Sequence, residues 1–365
     1  MSTTANPARL PHTFYRPELD ILRFFAFLMV FVTHVLPQSL RFYGGTHISR
    51  TAARVVISFG GAGKFGVNLF FVLSAFLITS LLVRERALTG TIDLRAFYVR
   101  RILRIWPLYF LAVTIAVLWR YVDRGVYMDN RTAIAYLLLA GNWAELFWPN
   151  NSFMFPLWSV SVEEQFYLSW PIVARIIHKR AVVWFVAALL ISGTIGVYLI
   201  SRAGFATWST TFASFYSIAI GILLAYFPVD ISCVWVRLLA FVSGLTVLMS
   251  VSLAIEFLSM DDRFEFPLAA IGAGLIFVSI YNAPLRSRLL CYLGKVSYGL
   301  YVYHVMCIQL VGQATRGRLI GLWFPVYAAA SLFLTIGVAA LSYRFFESPF
   351  LRLKERFTVV DSRPV

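Results

Sequence analysis

Apolar runs long enough to cross hydrocarbon as helices recur along this chain, parted by short segments rich in arginine, glycine and proline. A sliding window of about 20 residues marks spans near 19–37, 65–83, 103–121, 157–177, 181–200, 211–227, 234–255, 266–282, 296–312 and 322–343. The pattern predicts an all-α, polytopic transmembrane bundle of about ten spanning helices. Segment 132–148 fits no such span, because its run AIAYLLLA stops at Gly141-Asn142 and resumes only as far as the Trp148-Pro149 break. Topology decides how it is read. With the amino terminus inside, ten spans put the basic stretches 84–104, 175–180, 284–295 and 344–356 on one side, as the positive-inside tendency demands. An eleventh span would carry Arg175, Lys179 and Arg180 outside. The segment is therefore expected to be a half-helix or re-entrant piece lining a cavity, where broken backbone is tolerated at membrane depth. The longest polar stretches are 38–63, outside, and 84–104, inside, and no soluble domain, repeat or low-complexity linker stands out. The expected organisation is a cytoplasmic segment 1–18, a membrane-embedded domain 19–343 and a basic cytoplasmic tail 344–365.

Composition agrees with a bilayer environment: 60% of the 365 residues are hydrophobic, 17% aromatic and only 13% charged, and mean hydropathy is +0.76. The net charge of +15 invites a nucleic-acid reading, but the basic residues cluster between apolar runs as orientation signals do. Nucleic acid is set aside as a partner. Cys233, Cys291 and Cys307 lie in or beside apolar runs with no metal-ligand spacing, so neither a disulfide framework nor a metal site is predicted. The first apolar run follows a polar start containing Arg9 and Arg16 and lacks a small-residue cleavage site, so the amino terminus is expected to be retained.

Chemistry must then come from polar groups inside the bundle, where each ionisable side chain is costly and a candidate for function. Arg23 and His34 lie eleven positions apart in the first span. At about 100° per residue they fall on one helix face, about 16 Å apart along the axis. The pair offers a fixed cation near one end and a proton acceptor near the other, or else a snorkelling arginine and an interfacial histidine. The second stretch, RERALTGTIDLRAFYVRRILRIWPLYF, carries six arginines, among them Arg101 and Arg104, against Glu85 and Asp93. Spaced by three, Arg101 and Arg104 share a face suited to a phosphate fork; attraction to anionic lipid heads explains the same charge. The third, LWSVSVEEQFYLSWP, crowds Ser159, Ser161, Glu163, Glu164 and Gln165 into one helix end. Capping-box spacing from Ser161 to Glu164 is one reading; a carboxylate orienting His34 is the other. Trp158, Phe166, Tyr167 and Trp170 make an interfacial belt or a platform for a sugar face. The fourth, GKVSYGLYVYHV, puts Ser297, Tyr298, Tyr301, Tyr303 and His304 in one span. His304 is either a satisfied buried histidine or part of a polar cavity.

The segments RPELDILRFFAFLMVFVTH, FGVNLFFVLSAFLITSLL, FYVRRILRIWPLYF, LWSVSVEEQFYLSWP, SYGLYVYH and FFESPF occur in an order and spacing that resembles the acyltransferase 3 family of integral-membrane O-acyltransferases. The resemblance covers nearly the whole chain. It implies transfer of an acyl group, commonly acetyl from acetyl-CoA, onto hydroxyls of surface polysaccharide, lipopolysaccharide or glycolipid in the inner membrane of a bacterium. It also implies Arg23 and His34 on the first helix and Arg101 and Arg104 as family features. Two departures are visible: Ser74 is followed by Ala75 where glycine is usual, which is expected to loosen helix packing slightly, and Asn68 stands where an acidic residue is common. Some relatives carry a hydrolase-like domain after the last span; here the chain ends at Val365, so acceptor choice is expected to lie in the bundle and its outer loops.

The expected roles follow. Arg23, Arg101 and Arg104 bind the phosphates of acyl-CoA, a co-substrate in place of any resident cofactor. His34, oriented by Glu163 or Glu164, is the base for direct attack on the thioester, with a covalent acyl intermediate as the alternative. Ser74, Asn142, Trp158, Ser161, Tyr298, Tyr303 and His304 are candidates for the cavity or the acceptor site. A macrolide-like small acceptor, or a transporter without covalent chemistry, remains open at this level.

Overall fold

The computed structural model describes residues 14–44, 48–122, 128–148, 150–315, 324–358 and 360. Among them the chain is helical throughout, with no strand. In order, the helices are α1 (Pro17–Val35), α2 (Leu40–Tyr43), α3 (Arg50–Ala62), α4 (Gly66–Thr89), α5 (Leu94–Val122), α6 (Asn130–Leu137), α7 (Gly141–Phe147) and α8 (Trp158–Ile176). They continue as α9 (Ala181–Arg202), α10 (Thr211–Tyr226), α11 (Val234–Leu258), α12 (Asp262–Ile280), α13 (Arg288–Lys295), α14 (Ser297–Ala314), α15 (Phe324–Ser342) and, after a π turn at Tyr343–Glu347, α16 (Ser348–Glu355).

Local chemistry sets many of the boundaries. Ser49, Asp129, Thr210, Asp261 and Ser287 each accept a hydrogen bond from a first-turn amide of α3, α6, α10, α12 and α13, which satisfies an otherwise orphaned donor. Gly90, at φ 78°, ends α4 in the left-handed conformation that a residue without Cβ adopts freely.

Among the described residues, six helical stretches are long and apolar enough to cross a membrane: Arg50–Thr89, Leu94–Val122, Ala181–Arg202, Val234–Leu258, Asp262–Ile280 and Phe324–Glu355. Of the ten spans read from the sequence, those centred on α1, α8, α10 and α14 are helical but fall short by this measure. The first two carry carboxylates and, in α1, Arg23; α10 is only 16 residues long. α1, α8 and α14 bear the polar side chains of the site described below, and packed neighbours relieve them of an apolar surface. α9, α11 and α15 do the reverse and expose Trp184, Ile191, Leu199, Trp235, Leu239 and Phe333.

Three connecting segments take definite structure. Within the polar stretch 38–63, α2 and α3 form, and α3 packs on α11 through an ion pair of Arg54 with Glu256 at 2.8 Å and a Ser252 hydroxyl donated to the Ser58 carbonyl at 2.7 Å. The arginine-rich stretch 84–104 is the end of α4, a turn, and the start of α5. Segment 132–148 is broken as expected, into α6 and α7, at Leu139 with φ 57°.

α4 occupies the centre and packs on α1, α8, α10 and α12. The expected loosening at Ala75 is absent. Gly221 of α10 lies so close that a Cβ there would meet the Val72 carbonyl oxygen at 2.5 Å and the Ala75 methyl at 2.6 Å. The glycine has in effect moved to the facing helix, and Asn68 donates to the Ser217 hydroxyl at 3.0 Å in the same interface. At the other end of the bundle, a Cβ on Gly294 would stand 1.9 Å from the Asp20 carbonyl oxygen. α13 therefore fixes the start of α1, and with it the height of Arg23.

Candidate active site

α1, α4, α5, α8 and α14 border a cavity with an apolar wall of Val67, Phe70, Phe71, Ile105 and Val160 and a polar lining of Arg23, Ser74, Arg101, Arg104, Ser159, Glu163, Tyr167, Ser297, Tyr298 and Tyr301. A second cavity shares Arg23, Ser74, Arg101, Arg104 and Tyr167 with it and continues to Phe14, Tyr15, Arg16, Asp20 and Lys354. The two make one path, with the three arginines at its waist. Glu163 is the carboxylate of the inner cavity and is already engaged, accepting from the Ser74 hydroxyl at 2.7 Å and from the Tyr167 hydroxyl at 3.2 Å. Arg101 lies 5.7 Å from the ring centroids of both Phe97 and Tyr167, and its buried Nε has no hydrogen-bond partner among the described residues. None of the three arginines forms an ion pair with a described residue. Cations brought together in a low-dielectric interior need an anion between them.

At the deep end, the hydroxyls of Ser159 and Tyr301 lie 2.7 Å apart and converge on the Pro156 carbonyl at 3.1 and 2.9 Å. On the same turn of α14, the Tyr301 carbonyl meets Nδ1 of His304 at 2.6 Å. Nε2 of His304 is 3.2 Å from Nδ1 of His34, whose other contact is the Val30 carbonyl at 2.8 Å. Carbonyl oxygens only accept, so in the neutral rings each Nδ1 carries the hydrogen and each Nε2 a lone pair. His34 then shares its Nδ1–H between Val30 and Nε2 of His304. Its own Nε2 makes no hydrogen bond to a described residue, which is the state a general base requires.

The expected carboxylate partner of His34 is thus corrected. Glu163 is tied to Ser74 and Tyr167 beside the arginines, and Glu164 accepts from the indole N–H of Trp106 at 2.9 Å while its Oε1 stays buried without a partner among the described residues. His304 holds the position those glutamates were expected to fill. Its ring is fully buried, edge-on to Phe27 at 5.9 Å, which fixes its orientation.

The profile of the Acyl_transf_3 family, described as an acyltransferase domain, matches residues 16–344. The chain belongs to the acyltransferase 3 family. Within curated proteins it is 28% identical over 386 residues to a Staphylococcus aureus (strain MSSA476) protein named "Putative O-acetyltransferase", an alignment covering 96% of this chain and 59% of the relative. It is likewise 28% identical over 368 residues to the O-acetyltransferase OatA of S. aureus (strain NCTC 8325 / PS 47), covering 92% of this chain and 57% of that protein. The chain spans about three-fifths of the length of these relatives. No solved structure matches it significantly.

For an acyltransferase 3 enzyme, the remaining candidates divide by position. Ser74 and Tyr298 line the cavity, the latter donating its hydroxyl to the Ile105 carbonyl at 2.9 Å. Asn142 stands apart, closing a ring with Gln165 (2.8 Å) and Thr211 (3.1 Å) that ties α7, α8 and α10. Ser161 accepts from the Gly141 amide at 3.1 Å; it lies inside α8, which begins at Trp158, so the capping box with Glu164 does not form. Tyr303 faces α15 and contacts the Ser342 hydroxyl at 3.1 Å. Trp158 packs edge-on to Trp208 at 5.4 Å, Trp208 tilts on Phe155 at 5.4 Å, and Phe155 stands 6.3 Å from the His34 ring. Neither Phe155 nor Trp208 was legible as a site residue: Phe155 sits in the short turn just ahead of LWSVSVEEQFYLSWP and Trp208 in a connection with no motif around it. His12 and His47 lie outside the described residues.

Proposed function

We propose that this chain is a multi-pass membrane O-acetyltransferase that carries an acyl group, acetyl in the simplest case, from cytoplasmic acyl-CoA to a hydroxyl of a surface carbohydrate or glycolipid. The cavity that runs from Arg23, Arg101 and Arg104 to Ser159 and Tyr301, one helical turn of α14 from the His34–His304 pair, carries this reading. Its length suits a phosphate-bearing donor with a thin arm: Arg23 and His34 are about 16 Å apart along α1. The likeness to O-acetyltransferases supports the acetyl group. In this reading ten helices span a bacterial inner membrane, both termini are cytoplasmic, and α6–α7 is the re-entrant piece.

The donor's phosphates rest against the arginines and its arm threads inward. The acceptor hydroxyl arrives from the other side, beside Phe155 and the half-exposed Trp208, whose flat faces suit the C–H face of a sugar ring. Nε2 of His34 takes the hydroxyl proton as the oxygen bonds to the thioester carbonyl carbon. The C–S bond then breaks, and the proton on Nε2 passes to the departing thiolate, which leaves as free CoA. While His34 is charged, its Nδ1–H bond to Nε2 of His304 strengthens, as a charge-assisted hydrogen bond does. His304 is a positioning residue.

His304→Ala is expected to lower kcat roughly tenfold to hundredfold, the loss of one hydrogen bond to a charged group, with the KM for acyl-CoA unchanged. His304→Gln, whose amide oxygen can accept from His34, is expected to recover part of the rate. Equal loss in both variants would remove His304 from this role. The acceptor class is tested by comparing O-acyl esters on surface glycans of the native host, a deletion strain, and the deletion complemented with wild type or His34→Ala. Esters that vanish on deletion and return only with wild type support a glycan acceptor; four alike samples exclude it.

A further inference from the structure

The outer cavity holds more positive charge than the donor's diphosphate needs. Among the described residues, its lining carries five cations, Arg16, Arg23, Arg101, Arg104 and Lys354, and a single carboxylate, Asp20. The three arginines at the waist border both cavities, so they flank the point where a donor's slim arm meets its diphosphate. Of these two cavities, Lys354 and Arg16 border the outer one and not the inner, one step beyond. A coenzyme A thioester has one more anionic group beyond the diphosphate, the 3′-phosphate on its ribose.

We propose that Lys354, brought into the cavity by α16 and seconded by Arg16, binds the donor's 3′-phosphate, so that the C-terminal helix is part of the donor site and selects coenzyme A over its dephospho form. This rests on the acyl-CoA reading above. Several features hold Lys354 in place. Leu351 of the same helix is buried, α16 packs along α5, and Arg100, paired with Glu85 at 2.8 Å, donates to the Phe357 carbonyl at 2.7 Å just past the helix. The π turn at Tyr343–Glu347 adds a residue ahead of α16 and turns all that follows by about 100° relative to α15. Lys354 forms neither an ion pair nor a side-chain hydrogen bond with a described residue, although it also borders a smaller cavity beside Glu85, Arg100 and Arg101. Arg16 is braced between the rings of Phe14 and Tyr281, at 5.8 and 5.7 Å. An ammonium on a flexible stem suits a single phosphate monoester, as a guanidinium fork suits the diphosphate.

The test measures equilibrium binding of CoA and of dephospho-CoA to the full chain in phosphatidylcholine nanodiscs and in phosphatidylglycerol nanodiscs. Wild type is expected to prefer CoA by about tenfold to a hundredfold, the worth of one hydrogen bond between charged groups. Lys354→Met is expected to lose about tenfold of that preference with dephospho-CoA affinity unchanged, which also shows that the variant is folded. Lys354→Arg should keep most of it. Arg352→Met, which removes an equal charge from an exposed position on the same helix, should keep all of it. A wild-type ratio near one in both lipids overturns the proposal and leaves the cavity to a lipid phosphate. So does equal loss for both ligands in Lys354→Met, or a loss in Arg352→Met as large. Failure of wild type to bind either ligand overturns this proposal and the acyl-CoA reading together, whereas CoA binding indifferent to Lys354 overturns this proposal alone.

Discussion

His34→Ala is expected to lower acyl transfer by about 10²–10⁴-fold, the usual worth of a positioned general base, while donor binding and membrane insertion stay as they are. Two observations separate these effects. The hydrogen bonds of His34 run to the Val30 carbonyl and to His304, so the arginines lose nothing when the ring is removed. The lone pair of His304 is directed at His34 rather than into the cavity, so it is badly placed to substitute as base. kcat measured at saturating acyl-CoA, beside CoA binding on the same preparation, reads both quantities. Turnover within a few fold of wild type would remove His34 from proton transfer.

Arg101→Met is expected to act on the opposite term, weakening acyl-CoA binding by about thirtyfold to a thousandfold, the cost of truncating one partner of a buried charged contact. kcat at saturating donor should change little. Arg101 is held over Tyr167 and Phe97 with its Nε unpartnered, so its position exists before the donor arrives and little ordering is required on binding. Arg101→Lys should recover only part of the loss, because an ammonium replaces the charge and not the planar fork. Direct titration with CoA checks this, and unchanged affinity in Arg101→Met would count against a phosphate role.

Local spacing carried much of this site, and tertiary register carried the rest. Arg23 and His34 share a face by helical arithmetic, and Arg101 and Arg104 are neighbours by their spacing of three; the cavity gathers Arg23, Arg101 and Arg104 as those patterns imply. The pairing of His34 with His304 joins residues 270 positions apart, and nothing in either helix reports how α1 and α14 are offset along their length. Glu163 and Glu164 were plausible partners on the same ground, since depth alone does not say which way a side chain turns. The structure turns one to Ser74 and the other to Trp106. Ala75 misled for a related reason: the missing glycine is compensated at Gly221, on a helix about 150 residues later. α3 was hidden by its polarity, for a helix that lies against α11 with one face exposed lacks the continuous apolar run of a span. Lys354 looked like one more basic residue of a tail, because its meaning depends on the π turn before it.

The central claim is that one path joins the cationic waist to the histidine pair. A structure of the chain with CoA bound tests it most directly. The expected result is the diphosphate between Arg101 and Arg104 and the thiol sulfur beside Nε2 of His34. CoA seated elsewhere, or bound at the arginines with its arm turned away from the His34–His304 pair, would contradict it.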